Sequence, residues 1–565
     1  MRSSLANPKV VLAWLAGSLL LIWFVGMFCR GYWTPDEPRE ADIAWRMSWQ
    51  DGKAVPQLAG EAFCEKPPMT YWLAAIPIRL LGTQAWAARL PNFLYALITA
   101  LAVGLTAARS LGRFGGLVAA AVIGTFLLSY QVAIWLATDA PLLAAVAVAL
   151  LGAYKGFYAA SSPERLRAYL LMHAALGFGF LSKSAVAWMV PALTILALSL
   201  WEKRWRELLR WELYAGILLQ AAMILAWVWF VYAGQDGPAH LRVFFWNNLV
   251  GRFAAVDAPP ELQYAAAHRN YPGKYLVELP IYLFPWTLLV IAAARRAWIS
   301  RRSQSDNRAL RFAIASSVPA IIILSFAATA RNVYFAPVLP GIALLVAWWA
   351  REIRPAPDRW DRRALRATAV LLLLGVAAFI AALSVVGIQS WSTLGDRAGF
   401  ILISCSGLLA AAVLALRSWP VSRNETAHSL WFLYLAYCAL LTAPASQVYR
   451  QVDMWQDLAK ISRAVQHDAV GRPLILLAPD ETTRAIVDMY ARTSVDKIDG
   501  PIDAAALLRV KTAAAAAPNT LFLVQVRSAA DLESSLPWMN AAALRPLQSY
   551  SLPHGRRYAL LQVSR

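Results

Sequence analysis

The sequence predicts an all-α polytopic membrane protein with a small α/β domain at its C-terminal end. Of its 565 residues, 59% are hydrophobic and only 15% are charged, whereas about a quarter of the residues in soluble domains are charged. Apolar runs of roughly 17–25 residues, the length needed to cross the hydrocarbon of a bilayer, recur along the chain. A membrane β-barrel is disfavoured because barrel strands alternate in character and these runs do not.

Hydropathy predicts about thirteen transmembrane helices. They are Val10–Phe28, Leu90–Ala108, Gly115–Ala133, Ala140–Phe157, Tyr169–Leu181, Ala185–Trp201, Tyr214–Tyr232, Tyr275–Ala294, Phe312–Ala328, Tyr334–Ala350, Ala367–Val386, Ala398–Leu416 and Leu430–Pro444. The run Tyr169–Leu181 is short, and we interpret it as half of a helical hairpin with the run that follows.

Arginine and lysine concentrate in every second link between these runs, as in Arg109–Arg113 and Lys203–Arg210. This is the pattern of the positive-inside rule, and it predicts a cytoplasmic N-terminus. The net charge of +20 therefore comes from cytoplasmic links, and no nucleic-acid partner is expected. The opening loop 30–89, the link Gly234–Lys274 and the C-terminal tail then face outward, on the side of the membrane away from the cytoplasm.

The character of the chain changes after residue 444. Short apolar runs such as RPLILLAP and NTLFLVQV alternate with helical patterns from Ala445 onward, which indicates alternating strands and helices. We therefore divide the chain into a transmembrane domain, 1–444, whose first loop 30–89 carries the site, and a periplasmic α/β domain, 445–565. The tail has no phosphate-binding glycine pattern, so no nucleotide cofactor is expected.

Charged side chains gather in the links that are predicted to face outward. Cations in such a place suit phosphate, and carboxylates suit a general base, a metal or the positioning of those cations. The set comprises Asp36, Glu37, Arg39, Glu65 and Lys66 of the opening loop, followed by Asp139, Lys183, Arg252, His268, Arg269 and Arg331.

Several of these residues have plainer interpretations. A single cation in an outward link is more often a lipid headgroup contact or a surface charge. Asp139 could cap the helix that begins at Ala140, and His268 could be a surface histidine. Arg39 and Asp42 could be an ion pair on an amphipathic helix in the membrane interface, with Trp45 and Trp49 on one of its faces.

A series of motifs resembles the lipid-phosphate-dependent glycosyltransferases of the GT-C type. The motifs are TPDEPREADIAWRM, FCEKPPMTYWL, WAARLPNFLYAL, FLSKSAVAWMVP, FFWNNLVGRF, HRNYPGKY and RNVYFAPVLPGIALL. Together they extend from Thr34 to Ala350. The group that they resemble most is the bacterial aminoarabinose transferases, which modify lipid A and are related to the protein O-mannosyltransferases.

The resemblance implies roles for individual residues. Asp36 and Glu37 are expected to be catalytic, and a divalent metal, zinc or magnesium, is expected at Glu65, Asp139 and His268. Asn247 and Asn248 stand where relatives carry Glu, His or Asn before the GRF motif. The residues expected to bind substrate or phosphate are Arg39, Lys66, Lys183, Arg252, Arg269, Arg331 and Tyr334.

The resemblance also implies a reaction. We expect inverting transfer of 4-amino-4-deoxy-L-arabinose, or a similar sugar, from undecaprenyl phosphate to a lipid A phosphate, with membrane lipids as further partners. Asp36 would take a proton from a hydroxyl acceptor, but it would only orient an acceptor that is already a phosphate. The alternatives are transfer of a lipid-linked hexose to protein or polysaccharide, and a transporter or lipid flippase. Interrupted spans in matching halves, the usual mark of a transporter, are not evident.

Overall fold

The computed structural model of the chain describes residues 8–49, 54–252, 256–257, 271–300, 307–327, 331–390, 397–419, 426–526, 538–552 and 555–564. Its helices are α1 (Pro8–Phe28), α2 (Asp36–Trp49), α3 (Met69–Leu81), α4 (Ala85–Thr125), α5 (Leu127–Ile134), α6 (Asp139–Phe157), α7 (Ser162–Lys183), α8 (Val186–Trp201), α9 (Trp211–Tyr232), α10 (Gly237–Arg242), α11 (Lys274–Tyr282), α12 (Thr287–Ser300), α13 (Arg308–Ala315), α14 (Val318–Ser325), α15 (Leu339–Ile353), α16 (Arg359–Ser390), α17 (Arg397–Arg417), α18 (Thr426–Leu441), α19 (Ala443–Gln456), α20 (Leu458–Asp468), α21 (Glu481–Ala491) and α22 (Ala504–Ala516). Its strands are β1 (Gln57–Leu58), β2 (Glu61–Ala62), β3 (Leu474–Leu477), β4 (Asp496–Ile498), β5 (Leu521–Val526), β6 (Leu544–Ser551) and β7 (Arg557–Val563).

Nine helices in the described part of the chain are long and apolar enough to cross a membrane, and a bent pair of helices makes a tenth. The prediction of a multi-pass helical membrane protein is confirmed. Three differences account for the smaller number. The predicted span 90–108 and most of 115–133 lie in α4, which is counted once although its backbone breaks at Gly112, between the two predicted spans. The run 169–181 lies within α7, which has a polar first turn, and α8 has only 16 residues.

The backbone breaks sharply at one predicted link and within one predicted span. Gly112, at φ 71° and ψ −175°, interrupts α4 between its two apolar halves, in a backbone region that only glycine adopts without strain. The predicted span 275–294 is two helices, α11 and α12, bent by 115° at a short break. Pro285 lies in that break, and it can neither donate to the helical ladder nor continue the helix without a clash.

The chain forms two compact units. The first comprises Met1–Met27, Cys64–Thr70 and Pro91–Val448. The second comprises Phe28–Phe63, Tyr71–Leu90 and Tyr449–Arg565, so that most of the opening loop shares a unit with the end of the chain.

In the first unit, α6 and α7 pack closely against each other. A Cβ atom added at Gly152 would lie 2.8 Å from the backbone of α7, and one at Gly156 would lie 2.5 Å from the ring of Tyr169. Small residues of this kind let two membrane helices approach closely. Because α6 begins at Asp139 and the antiparallel α7 ends at Lys183, both residues lie at the same end of the helix pair.

In the second unit, five strands form a mixed sheet in the order β4-β3-β5-β7-β6. Strand β3 pairs in parallel with β4 and β5, whereas β7 pairs antiparallel with β5 and β6. Buried apolar side chains, including Leu477, Val510, Phe522 and Leu561, form the core under the sheet. The predicted C-terminal α/β domain is confirmed.

The helix α2, which the sequence predicted to lie in the membrane interface, is packed inside the second unit. Eleven of its 14 residues are buried, and its neighbour is α21 of the C-terminal region. Trp45 and Trp49 do lie on one face, with ring centroids 5.2 Å apart. Glu37 and Arg46, two of its charged residues, form ion pairs inside the protein.

Candidate functional site

In the first unit, the end of the α6–α7 pair brings a carboxylate and an ammonium group together. Lys183 Nζ donates a hydrogen bond to Asp139 Oδ1, and the carboxylate side chain is only 8% exposed. The residue at the N-cap of α6 is Thr138, without a side-chain capping bond. Asp139 is therefore the first helical residue and the partner of a lysine, and it does not have the capping role that was considered for it.

Tyr334 contributes an aromatic face to the same place. The ammonium group of Lys183 lies 4.8 Å from the centroid of its ring, within the range of a cation–π contact. Tyr334 lies in the 3₁₀ turn Asn332–Val338. The backbone just before this turn is fixed by the buried Tyr275, whose hydroxyl donates to the carbonyl of Arg331 over 2.8 Å. Asp139, Lys183 and Tyr334, which we call the Lys183 triad, are the predicted site residues whose mutual contacts the structure shows.

Glu65 and Lys66, two of the predicted site residues, also belong to the first unit. The buried Asn248 donates its side-chain amide hydrogens to the carbonyl of Glu65 and, over 3.4 Å, to that of Cys64. Asn248 therefore fixes the backbone of the CEKP segment, while the side chains of Glu65 and Lys66 are half-buried. Asn248 lies in a turn of π-helix, Val243–Leu249, a form of helix that is frequent at functional sites.

In the second unit, Glu37 is the centre of a buried ion-pair cluster. Arg30 donates to its two carboxylate oxygens over 2.5 and 3.1 Å, and Arg89 does so over 2.9 and 2.8 Å. The backbone N–H of Trp33 adds a fifth hydrogen bond of 3.0 Å. Burial alone would raise the pKa of Glu37, but the two arginines outweigh it and bring that pKa down to about 2.

This environment suits Glu37 for positioning, because a carboxylate held by two arginines is a poor proton acceptor. Arg89 also donates to the carbonyls of Arg30 and Gly31, over 3.1 and 2.6 Å. The cluster thereby fixes the segment that leads into α2. Asp36, the residue just before Glu37, is half-buried at the first turn of that helix.

Two arginines of α2 bind the C-terminal region. The predicted phosphate ligand Arg39 forms an ion pair of 2.9 Å with Glu481. Arg46 is buried between two carboxylates. Its Nε donates to Asp42 over 3.0 Å, and its Nη2 donates to Asp488 over 2.5 Å. The ion pair between Arg39 and Asp42 that the sequence suggested is thus replaced by pairs to other residues.

Three predicted site residues cannot be located. His268 and Arg269 lie outside the described residues, and so does the side chain of Arg252. The role predicted for each of them stays a prediction.

The predicted metal site gains no support from its described members. Among the residues that the structure describes, no group of three His, Cys, Asp or Glu side chains is arranged to hold a metal. The carboxylate of Asp139 is occupied by Lys183, so a cation would have to displace an ammonium group that is already bound there. We therefore derive no chemical step through a metal, and the set Glu65, Asp139 and His268 stays a prediction.

Sequence reasoning missed several residues that hold these groups in place. Arg30 and Arg89 were not singled out, although Arg89 lies in the motif WAARLPNF. Asp453 was also missed. It accepts from the indole N–H of Trp33 over 2.5 Å and from the backbone N–H of Gly31 over 2.9 Å. A buried arginine that follows directly after an apolar run, as Arg30 does, was the one available signal.

Comparisons with known proteins agree with these observations. A family model described as dolichyl-phosphate-mannose-protein mannosyltransferase matches residues 65–230. The chain is 29% identical over 338 residues to the undecaprenyl phosphate-alpha-4-amino-4-deoxy-L-arabinose arabinosyl transferase of Pectobacterium carotovorum. That alignment covers 60% of this chain but only 58% of the relative. A relative with the same description from Pseudomonas fluorescens is 27% identical over 439 residues, covering 77% of this chain and 71% of the relative.

The fold agrees over almost the whole chain. The crystal structure of ArnT from Cupriavidus metallidurans bound to undecaprenyl phosphate superposes with a TM-score of 0.70 and covers 97% of both chains, at 18% identity. The chain therefore has the fold of this solved aminoarabinose transferase, and its predicted resemblance to the aminoarabinose transferases of the GT-C type is confirmed.

Proposed function

We propose that this protein transfers 4-amino-4-deoxy-L-arabinose from undecaprenyl phosphate to a phosphate group of lipid A. The observation that supports this most directly is the sequence similarity to named arabinosyl transferases, together with a fold match over 97% of both chains. The reaction would take place at the periplasmic face of a bacterial inner membrane. That location is supported by the alternation of basic links, which favours a cytoplasmic N-terminus.

The Lys183 triad suits the donor side of this reaction. In the transfer, the bond between the anomeric carbon and the donor phosphate breaks, and its electron pair stays with the departing undecaprenyl phosphate. A cation at that oxygen stabilises the charge that develops there. Lys183 is held by Asp139 on one side and by Tyr334 on the other, so that it is oriented before the substrate arrives. Asp139 and Tyr334 are positioning residues in this proposal.

The acceptor determines what Asp36 must do. A lipid A phosphate attacks the anomeric carbon through an oxygen that is already anionic, so the new C–O bond forms without removal of a proton. The monoester dianion becomes a diester monoanion as undecaprenyl phosphate leaves as a dianion, and the charges balance. Direct displacement inverts the anomeric carbon. In this reaction Asp36 orients the acceptor or a cation and transfers no proton.

Substitution of Asp36 tests the proposal. We expect Asp36→Ala to lower transfer from purified lipid donor to lipid A by about tenfold or more. Asp36→Asn should keep more activity than Asp36→Ala, since an amide oxygen can still accept a hydrogen bond. Asp499→Asn, at a carboxylate of the second unit that is 58% exposed, is the matched control. Full activity of Asp36→Ala would refute the assignment, and equal loss in both Asp36 variants would instead indicate proton transfer.

A second function is favoured by one specific observation, the match of residues 65–230 to the protein mannosyltransferase model. It suggests transfer of a lipid-linked hexose to the hydroxyl group of a protein or polysaccharide, with Asp36 as the base. Mass analysis of lipid A from cells with and without the protein separates the two functions. Our first proposal requires the aminoarabinose adduct to appear only when the protein is present.

A further inference from the structure

A cavity of about 550 Å³ lies in the second unit, at the C-terminal ends of α2 and α3. Its lining includes the indoles of Trp45 and Trp49 and two arginines, Arg79 and Arg492. Arg79 belongs to the last turn of α3. Arg492 caps α21 in a left-handed conformation, with φ 56°. We call this space the Trp45–Arg79 cavity; neither the proposed transfer chemistry nor the motifs of the resemblance use it.

Of the two indoles that line the cavity, one is buried and the other is exposed. Trp45 is only 5% exposed, whereas Trp49 is 50% exposed, and their ring centroids are 5.2 Å apart. The guanidinium group of Arg46 also lies over the ring of Trp45, 5.4 Å from its centroid. A buried indole beside an exposed one offers an apolar face with a polar N–H group. The C–H face of a sugar ring can stack on such a surface.

The charge of the cavity is positive. Arg79 and Arg492 are exposed, and neither forms an ion pair with any residue in the described part of the chain. No carboxylate is among the described lining residues, so the described lining carries only positive charge. Two arginine forks suit a phosphate monoester, to which each can donate two parallel hydrogen bonds. Ser48 and Thr83 add small polar groups to the lining.

An apolar surface adjoins the arginine on α3. Ile76, Leu80 and Leu81 are 56%, 75% and 49% exposed on the same helix as Arg79. Exposed aliphatic side chains beside a cationic pocket suit a ligand that has an acyl chain as well as an anionic head.

We propose that the Trp45–Arg79 cavity binds the phosphorylated sugar headgroup of the acceptor glycolipid. Arg79 and Arg492 bind its phosphate, Trp49 stacks on its sugar ring, and the exposed face of α3 contacts its acyl chains. This inference rests on the proposed function, because that function supplies a phosphorylated glycolipid as the acceptor.

Direct binding to the full-length purified protein tests the inference without relying on turnover. The probes are radiolabelled lipid A, the same lipid with its phosphates removed, phosphatidylglycerol and inorganic phosphate. We expect Arg79→Ala and Arg492→Ala each to weaken lipid A binding by about tenfold or more. Arg509→Ala removes an exposed arginine of the same unit outside the cavity, and it should bind like the parent protein. Dephosphorylated lipid A should bind weakly and be insensitive to all three substitutions.

Kinetics then separate this inference from the proposed function. If both hold, the double variant Arg79→Ala/Arg492→Ala raises the KM for lipid A while the KM for the lipid-linked donor stays unchanged. Normal lipid A kinetics in the double variant would refute lipid A binding in the Trp45–Arg79 cavity, but they would not count against the proposed transfer activity. If the protein binds lipid A through the two arginines but transfers no sugar, lipid A binding in the cavity is supported and the proposed transfer function is refuted. Equal competition by phosphatidylglycerol or by inorganic phosphate would overturn the inference, since the site would then recognise any anionic lipid or any phosphate.

Discussion

The ion pair between Asp139 and Lys183 joins the beginning of α6 to the end of α7. Both were singled out as charged residues at the ends of apolar runs, where an unpaired charge is costly. Their contact depends on the close packing of α6 and α7, which Gly152 and Gly156 permit. No local pattern in the sequence indicates that Asp139 contacts Lys183, which lies 44 positions further along the chain. The residues could therefore be predicted as candidates, but their pairing could not.

Glu37 is the second case at this scale, because two neighbouring arginines determine the ionisation of a carboxylate that is expected to be catalytic. The resemblance predicted a catalytic carboxylate, and the structure surrounds that carboxylate with Arg30 and Arg89. No local pattern predicts that these two arginines meet. A buried carboxylate with two such partners is ionised throughout the neutral pH range. Its charge therefore also contributes to stability, and that contribution has a pH dependence that can be measured.

We expect the Glu37 cluster to lose its stabilising effect in acid. The pKa of Glu37 in the folded protein is about 2, against an ordinary value of 4.5. Since the unfolded chain takes up the proton first, the stabilisation is complete above pH 4.5 and is lost as the pH falls towards 2. The full difference corresponds to about 3 kcal/mol. Thermal unfolding of the purified protein between pH 6 and pH 3 should show this loss.

Glu37→Gln is the matching variant for that experiment. It should unfold at a lower temperature at pH 6, because two buried arginines lose their counter-charge, but it should lose less stability on acidification than the parent protein. Glu481→Gln, at an exposed carboxylate, should follow the parent curve. Parallel curves for Glu37→Gln and the parent protein would show that Glu37 does not titrate as described.

At the scale of single elements, hydropathy predicted most of the helices and one of their two sharp breaks. Runs such as 140–157 and 398–416 correspond closely to α6 and α17, because length and apolar character are local properties. The break at Gly112 falls in the basic link predicted between the spans 90–108 and 115–133, whereas the 115° bend between α11 and α12 falls inside the predicted span 275–294. Pro285 was visible in the sequence, but proline also occurs inside membrane helices without breaking them.

Gly112 gives an element-scale prediction. Its backbone, at φ 71° and ψ −175°, lies in a region that is essentially limited to glycine, so a side chain there costs about 1–3 kcal/mol. Gly112→Ala should therefore lower the unfolding temperature of the purified protein. Gly17→Ala in α1, where an added Cβ meets nothing within 4 Å, should be neutral or slightly stabilising. Equal unfolding temperatures for the two variants would contradict the conformation assigned to Gly112.

At the scale of the whole molecule, the second unit is assembled from stretches far apart in the chain. Arg46 and Asp488 are 442 positions apart, and their hydrogen bond is buried. Sequence analysis predicted both an opening loop that carries charge and a C-terminal α/β domain. It could not predict that the charges of α2 would be paired with α21, because a pairing over such a separation leaves no local pattern.

The pairing of α2 with α21 predicts coupled opening of the two helices. Arg46→Met leaves Asp42 and Asp488 buried without their guanidinium partner, a loss of about 3 kcal/mol or more. Amide hydrogen exchange should then accelerate in residues 36–49 and in residues 481–491 together, while α6 and α7 of the first unit keep their exchange rates. Arg39→Met is the matched control, because its ion pair joins the same two helices at the surface and should contribute at most about 1 kcal/mol. Acceleration confined to α2, or equal effects of the two variants, would mean that the Arg46 network does not join the opening loop to the end of the chain.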